Sequence, residues 1–120
     1  KKLNKFFITP KIDKNVKTNF LAYPVILNTK NNFSRKELQI YLEKNGIQTR
    51  PIFTGNILRH PAFSKLISSR NKLDEFPKAD YIMKYGLLIG SHQGLSKIGI
   101  SYMHSVILNF KKIKKILDQN

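Results

Sequence analysis

Apolar and polar positions along this chain change period from block to block, and each block predicts an element. Phe20 to Leu27, FLAYPVIL, is a run of β-formers closed by the polar NTKNN, which predicts a strand. Pro24 has no amide to give to a ladder, so this strand is expected at a sheet edge or at a bulge. Ser34 and Glu37 then spell an S-x-x-E capping box, and Phe33 stands where a hydrophobic staple onto Leu38 would begin. Leu38, Tyr41 and Leu42 recur at i, i+3 and i+4, and Gly46 offers the left-handed position that closes a helix. A helix over residues 35–45 is predicted.

Ile47 to Phe53 reads as a second strand, again edge-like because of Pro51. Thr54-Gly55-Asn56 breaks it, Ile57 to Arg59 can form a single helical turn, and Phe63, Leu66 and Ile67 are expected to anchor the segment to the core. Ser68 to Glu75 is polar and reads as an exposed loop. Pro77 suits the first turn of another helix, with Ala79, Ile82 and Met83 on one face and Gly86 as its stop. Leu87 to Ile89 is a third short strand, and Gly90 to Gly94 is a turn. Ser96 caps a final helix whose stripe is Met103, Val106, Ile107, Phe110, Ile113 and Leu117, with Lys111, Lys112, Lys114 and Lys115 at its negative pole. The order implies an α+β fold, a small sheet of about three strands covered by helices. Residues 1–19 are polar apart from Phe6, Phe7 and Ile8, and read as an irregular lead-in from a preceding domain; residues 20–120 form the small domain.

Composition narrows the class. A chain of 120 residues fits one domain, and 41% hydrophobic residues with eight Phe and five Tyr exclude intrinsic disorder. No apolar run approaches the ~20 residues of a membrane span, and the start lacks the features of a signal peptide, so a cytoplasmic protein is expected. Without Cys there is no disulfide and no thiolate metal site. The first residue is Lys, and the chain is expected to be a piece of a longer one. The excess of 22 Lys+Arg over 7 Asp+Glu gives +15, which favours polyanions in general. Most Lys residues stand beside Asn and Ile, as AT-rich coding sequence would produce, and no nucleic-acid module is legible. A basic module for nucleic acid or another polyanion is therefore the alternative of a different class.

The densest chemistry lies between Gly46 and Phe63, GIQTRPIFTGNILRHPAF. Arg50 and Arg59 carry the planar fork that suits phosphate or carboxylate, and Thr54, Gly55 and Asn56 offer a hydroxyl, a close backbone and an amide. Equally simply, Gly55 serves a turn and Asn56 caps the short helix. His60 and His92 each sit at a turn after an apolar run, where side chains project from a rigid base, or else merely fill those turns. His104 reads as a surface or rim residue. The spacing of these three matches no metal motif and carboxylates are scarce, so no metal site is expected. No residue of this chain is assigned a catalytic role.

The segments YPVIL at 23–27, FSRKELQIYLEKNGIQTRPIFTGNILRHPAF at 33–63 and FPKADYIMKYGLLIGSHQGLS at 76–96 resemble the C-terminal part of the DegT/DnrJ/StrS sugar aminotransferase family. Within it they are most similar to the dehydrase branch typified by CDP-4-keto-6-deoxyglucose 3-dehydrase of lipopolysaccharide biosynthesis. The resemblance implies a fold-type I enzyme in which a large cofactor domain precedes a small C-terminal domain, and this chain looks like the latter. It implies pyridoxal or pyridoxamine phosphate, and in the dehydrase an iron–sulfur cluster, both held by the large domain and neither by this chain. It also implies a homodimer and a nucleotide-sugar substrate over which the small domain closes. An aminotransferase C-terminal domain is the alternative within the family. By position Arg50, Phe53, Thr54, Gly55, Asn56 and Arg59 match the family's RPIFTGNILR stretch and are expected to face the substrate cleft, with His60 and His92 as further contacts. The turn at His92 departs, reading SHQG where the branch tends to CHHG. Lys97, Ile98 and Gly99 open the last helix where acidic residues are usual, which weakens its start.

Overall fold

In a computed structural model of the chain, describing residues 3, 6–29, 33–53, 55–66 and 75–117, a four-stranded sheet carries three α-helices. In order these are β1 (Phe7–Ile8), β2 (Ala22–Leu27), α1 (Arg35–Lys44), β3 (Thr49–Pro51), α2 (Pro77–Tyr85), β4 (Gly86–Gly90) and α3 (Lys97–Leu117). Two 3₁₀ turns, Ile57–Arg59 and Pro61–Leu66, lie between β3 and α2. The strand order is β1-β2-β4-β3, antiparallel throughout.

α1 forms as its sequence dictates. The Ser34 hydroxyl accepts from the Glu37 N–H at 3.2 Å while the Glu37 carboxylate accepts from the Ser34 N–H at 2.8 Å, completing the capping box. At the far end Gly46 takes a φ of 71°. Its N–H reaches the Glu43 carbonyl and the Ile47 N–H reaches the Leu42 carbonyl, a Schellman closure between two core residues. Phe33, just before the cap, packs on the core and sets its ring edge-on to Phe110, with centroids 4.9 Å apart.

Strand register sorts the sheet into two faces. Val25 pairs with Leu87, Tyr23 with Ile89 and Phe7 with Leu27, so these six share a face. Leu38 and Leu42 of α1 and Val106, Ile107 and Phe110 of α3 belong to the same buried cluster. On the opposite face Gly86 lets α2 and the chain after β3 approach closely. A Cβ there would lie 2.5 Å from the Ile82 carbonyl oxygen and 2.7 Å from Ile52 Cδ1.

The structure departs from the sequence pattern in several places. Phe63, expected to anchor its segment to the core, is 36% exposed, and the strand expected over Ile47 to Phe53 is ladder-paired only at Thr49–Pro51. β1 falls in the expected irregular lead-in and makes the sheet four-stranded; Phe6 and Phe7 are buried, and Lys111 Nζ stands 4.6 Å from the Phe6 ring centroid. Pro24, expected at an edge or bulge, lies in a strand with a neighbour on each side. The Asn28 N–H donates to the Phe6 carbonyl, so even-numbered residues of β2 turn their nitrogens toward β1. β1 pairing ends at Ile26, and Pro24 therefore faces a locally unpaired flank where no amide is needed. Ile113, placed in the apolar stripe of the last helix, is 44% exposed, and its neighbour Lys114 pairs with Glu37. The Ser96 hydroxyl accepts from the Gly99 N–H at 3.1 Å, so a cap holds the acid-free start of α3. Thr54, Ile67, the loop from Ser68 to Asp74, and the side chains of Leu66, Lys115 and Leu117 lie outside the described residues.

Candidate functional site

β3 is the edge strand that carries Arg50, and the last turn of α1 fixes it. Thr49 is only 1% exposed, and its N–H and hydroxyl donate to one oxygen of Glu43 at 2.6 and 2.8 Å. These bonds hold the Glu43 carboxyl below the usual carboxylate range. Arg50 is exposed, and its Nη1 donates to the Thr49 carbonyl at 3.1 Å. Arg50 pairs with Leu88 and Leu88 with Pro24, so Arg50 projects from the face opposite the α1–α3 core. Lys36, Lys44 and Arg50 line an open groove of about 490 Å³ between α1 and β3.

Beyond Pro51 the chain forms a limb that rests on α2. Gly55 has a φ of 68°, and a Cβ on it would fall 2.5 Å from Met83 Cγ. Asn56 is 3% exposed; its Oδ1 accepts from the Leu58 N–H at 3.1 Å, capping the 3₁₀ turn, and its Nδ2 donates to Asp80 Oδ1 at 2.8 Å. Arg59 donates from Nε to Asp80 Oδ1 and from Nη2 to Asp80 Oδ2, each at 2.5 Å. One carboxylate thus collects donors from two residues of the limb. At the C-terminal end of α2, Arg35 Nη1 donates to the carbonyls of Met83 and Gly86 at 2.9 and 3.2 Å.

Arg59, and after it Asn56, lowers the Asp80 pKa to about 2. A carboxyl whose folded pKa lies below its unfolded value stabilises the fold fully above the unfolded value, and that stabilisation is lost as pH falls through the folded one. The fork is therefore expected to persist from neutral pH to below pH ~4 and to open near pH ~2. NMR titration of the Asp80 carboxyl carbon and the Arg59 Nε–H checks this, and a midpoint at the ordinary aspartate value would refute it.

The residues singled out in the sequence divide accordingly. Asn56 and Arg59 turn polar atoms onto Asp80, and Gly55 makes the turn between them and Phe53. Arg50 and Phe53 stand out from the surface, Phe53 with 91% of its area exposed. His60 is half-buried, and its N–H closes the first 3₁₀ turn on the Ile57 carbonyl. His92 lies two residues past the end of β4, at the opposite end of that strand from Leu87, the partner of Pro51. Its Nδ1 accepts from the Gly94 N–H at 3.1 Å, and it borders a cavity of about 240 Å³ with Gln48 and Tyr102. The structure does not join His92 to the limb. His104 sits half-buried beside an apolar cavity of about 430 Å³ under the first half of α3.

Asp80 and Glu43 were not singled out by sequence, and Met83 was named only as part of the apolar face of α2. A usable signal existed for Asp80 with Met83: at i and i+3 they share a face of α2. Their partners in the limb are more than twenty residues away, as with Arg59 at a separation of 21, and no local pattern marks such a pairing. Among the described residues no three His, Asp or Glu side chains gather to hold a metal, and no helix is long and apolar enough to cross a membrane.

A four-stranded antiparallel sheet with α1 and α3 over one face and a clamped limb at its edge defines a small α+β domain. Residues 1–107 match the DegT/DnrJ/EryC1/StrS aminotransferase family, and the chain belongs to it. It is 31% identical over 110 residues to GDP-4-keto-6-deoxy-D-mannose 3-dehydratase of Escherichia coli O55:H7, covering 88% of this chain and 28% of that protein. It is 27% identical over 105 residues to the lipopolysaccharide biosynthesis protein RfbH of Salmonella typhimurium, covering 88% of this chain and 24% of that protein. Among solved structures, GDP-4-keto-6-deoxymannose-3-dehydratase with a trapped PLP-glutamate geminal diamine superposes with a TM-score of 0.62 at 25% identity, over 87% of this chain and 28% of that one. A variant of the same enzyme with bound GDP-perosamine gives 0.66 at 24% identity, over 87% and 28%. The chain spans about a quarter of the length of these relatives.

Proposed function

We propose that this chain is the C-terminal domain of a pyridoxal-phosphate-dependent nucleotide-sugar 3-dehydratase of deoxysugar and lipopolysaccharide biosynthesis. The observation that carries the reading is the match to 3-dehydratases along nearly the whole chain, limb included. It also favours a dehydratase over an aminotransferase.

The described residues do not themselves fit the cofactor. The apolar cavity by His104 is lined by no Lys or Arg among the described residues, and the groove beside Arg50 is open to solvent and places Glu43 among its cations. The cofactor is held elsewhere in an enzyme of the relatives' length, and residues 20–120 supply the wall that closes over the substrate. In that wall Arg50 offers its guanidinium edge to a diphosphate and Phe53 covers the ligand and excludes water. Asn56 and Arg59 act one step back, by holding the limb. Exposed Lys residues are spread over the segment before β2 and over all three helices, which favours this reading over a polyanion-binding module.

Arg50→Ala in the intact enzyme is expected to raise KM for the nucleotide-sugar about 10–100-fold, the loss of one or two charge-assisted hydrogen bonds, with bound-cofactor absorbance unchanged. An unchanged KM, or loss of the cofactor, would overturn the assignment.

A further inference from the structure

We propose that Asp80 is a positioning residue, holding the limb from Ile52 to Arg59 on α2 in the orientation that presents Phe53 to a nucleotide diphosphate beside Arg50. The inference rests on the reading of that limb as substrate-facing, and its mechanical half is testable without it.

Ladder pairing ends at Pro51 opposite Leu87, and beyond it the sheet's contact with the limb is the packing of Ile52 against Gly86. Phe53 is almost wholly exposed and contributes little packing of its own. The described contacts that hold the next stretch come from one face of α2. Met83 lies against the backbone of Gly55, and Asp80 takes Asn56 and both donors of the Arg59 fork. An exposed Arg–Asp pair alone would order little, because solvent and side-chain entropy offset most of its attraction. Here the same carboxylate also serves the buried Asn56 amide, and removing it strands a donor away from water. Asp80 lies in the first turn of α2, where the helix dipole favours a negative charge. Releasing the carboxylate would free the limb and leave the core cluster of Leu38, Leu42 and Leu87 untouched.

The test uses the ¹⁵N-labelled chain and its Asp80→Asn variant at neutral pH and 150 mM salt. Asp80→Asn is expected to move the Arg59 Nε–H signal to the position of a solvated arginine. It should also lower the order parameter of the Phe53 amide and leave the Leu42 and Leu87 amides in place; Asp80→Glu should restore part of the order. Should Asp80→Asn fail to fold, Arg59→Lys, which keeps the charge and removes the fork, is expected to loosen the same residues. An unchanged Phe53 amide and Arg59 signal would reduce Asp80 to a surface ion pair and overturn the proposal. Titration with GDP then separates the two claims. GDP is expected to shift the Arg50 and Phe53 amides, with an apparent Kd at least fivefold higher in Asp80→Asn and no shift in Arg50→Ala. If GDP moves neither amide in the unsubstituted chain, the substrate-facing reading fails, while the relaxation data still decide whether Asp80 holds the limb. If the limb loosens and the Kd does not change, positioning for the ligand is refuted.

Discussion

Leu42→Ala is expected to lower the unfolding free energy by about 2–5 kcal/mol, read as a fall in the denaturation midpoint at constant slope. Leu42 is fully buried between α1 and the sheet, and its carbonyl also receives the Ile47 N–H that closes the helix. Truncation leaves a cavity against Leu38 and Leu87, where rigid secondary structure limits collapse. Ile40 on the same helix is 47% exposed, and Ile40→Ala is expected to cost under about 1 kcal/mol. Equal losses for the two variants would mean that α1 does not pack by the face that carries Leu38 and Leu42.

Gly55→Ala carries the second large effect, and the effect is local. The left-handed backbone costs an L-residue about 1–2 kcal/mol, and the new methyl, at 2.5 Å from Met83 Cγ, adds an overpacking strain of about 1–3 kcal/mol. The limb can escape both by lifting from α2, so the expected signature is loss of order at residues 53–59 with a smaller change in global stability. Met83→Ala in the same chain should relieve the steric part and leave the backbone part. The double-mutant cycle measures the split, and additive effects would show that Met83 does not press on this turn.

Local chemistry was enough for much of the fold. Both signals of α1 were written in the chain, Ser34 with Glu37 at one end and Gly46 at the other, and both closed as read. The two-residue β1 escaped because Phe7 and Ile8 become a strand only through Leu27 and Ile26, far along the chain. Pro24 misled for a related reason: the rule against central prolines concerns amides that a neighbour needs, and β1 ends before it needs this one. At the site, the run from Arg50 to Arg59 was recognisable as dense in polar chemistry, and the resemblance set the expectation that it faces substrate. Its division into outward and inward residues was not. Asn56 and Arg59 could bind phosphate as well as any side chain, and only the placement of Asp80 on α2 turns them toward the protein.

The sheet's margins have a consequence for behaviour at high concentration. One border is a two-residue strand, and the other is Thr49-Arg50-Pro51, in which the exposed positions are a cation and an imino acid. Neither offers the long, flat row of free amides and carbonyls that recruits a foreign strand. Among the described residues the sheet thus offers a poor template for strand addition, and Arg50 adds a charge to the border that Pro51 already deprives of an amide.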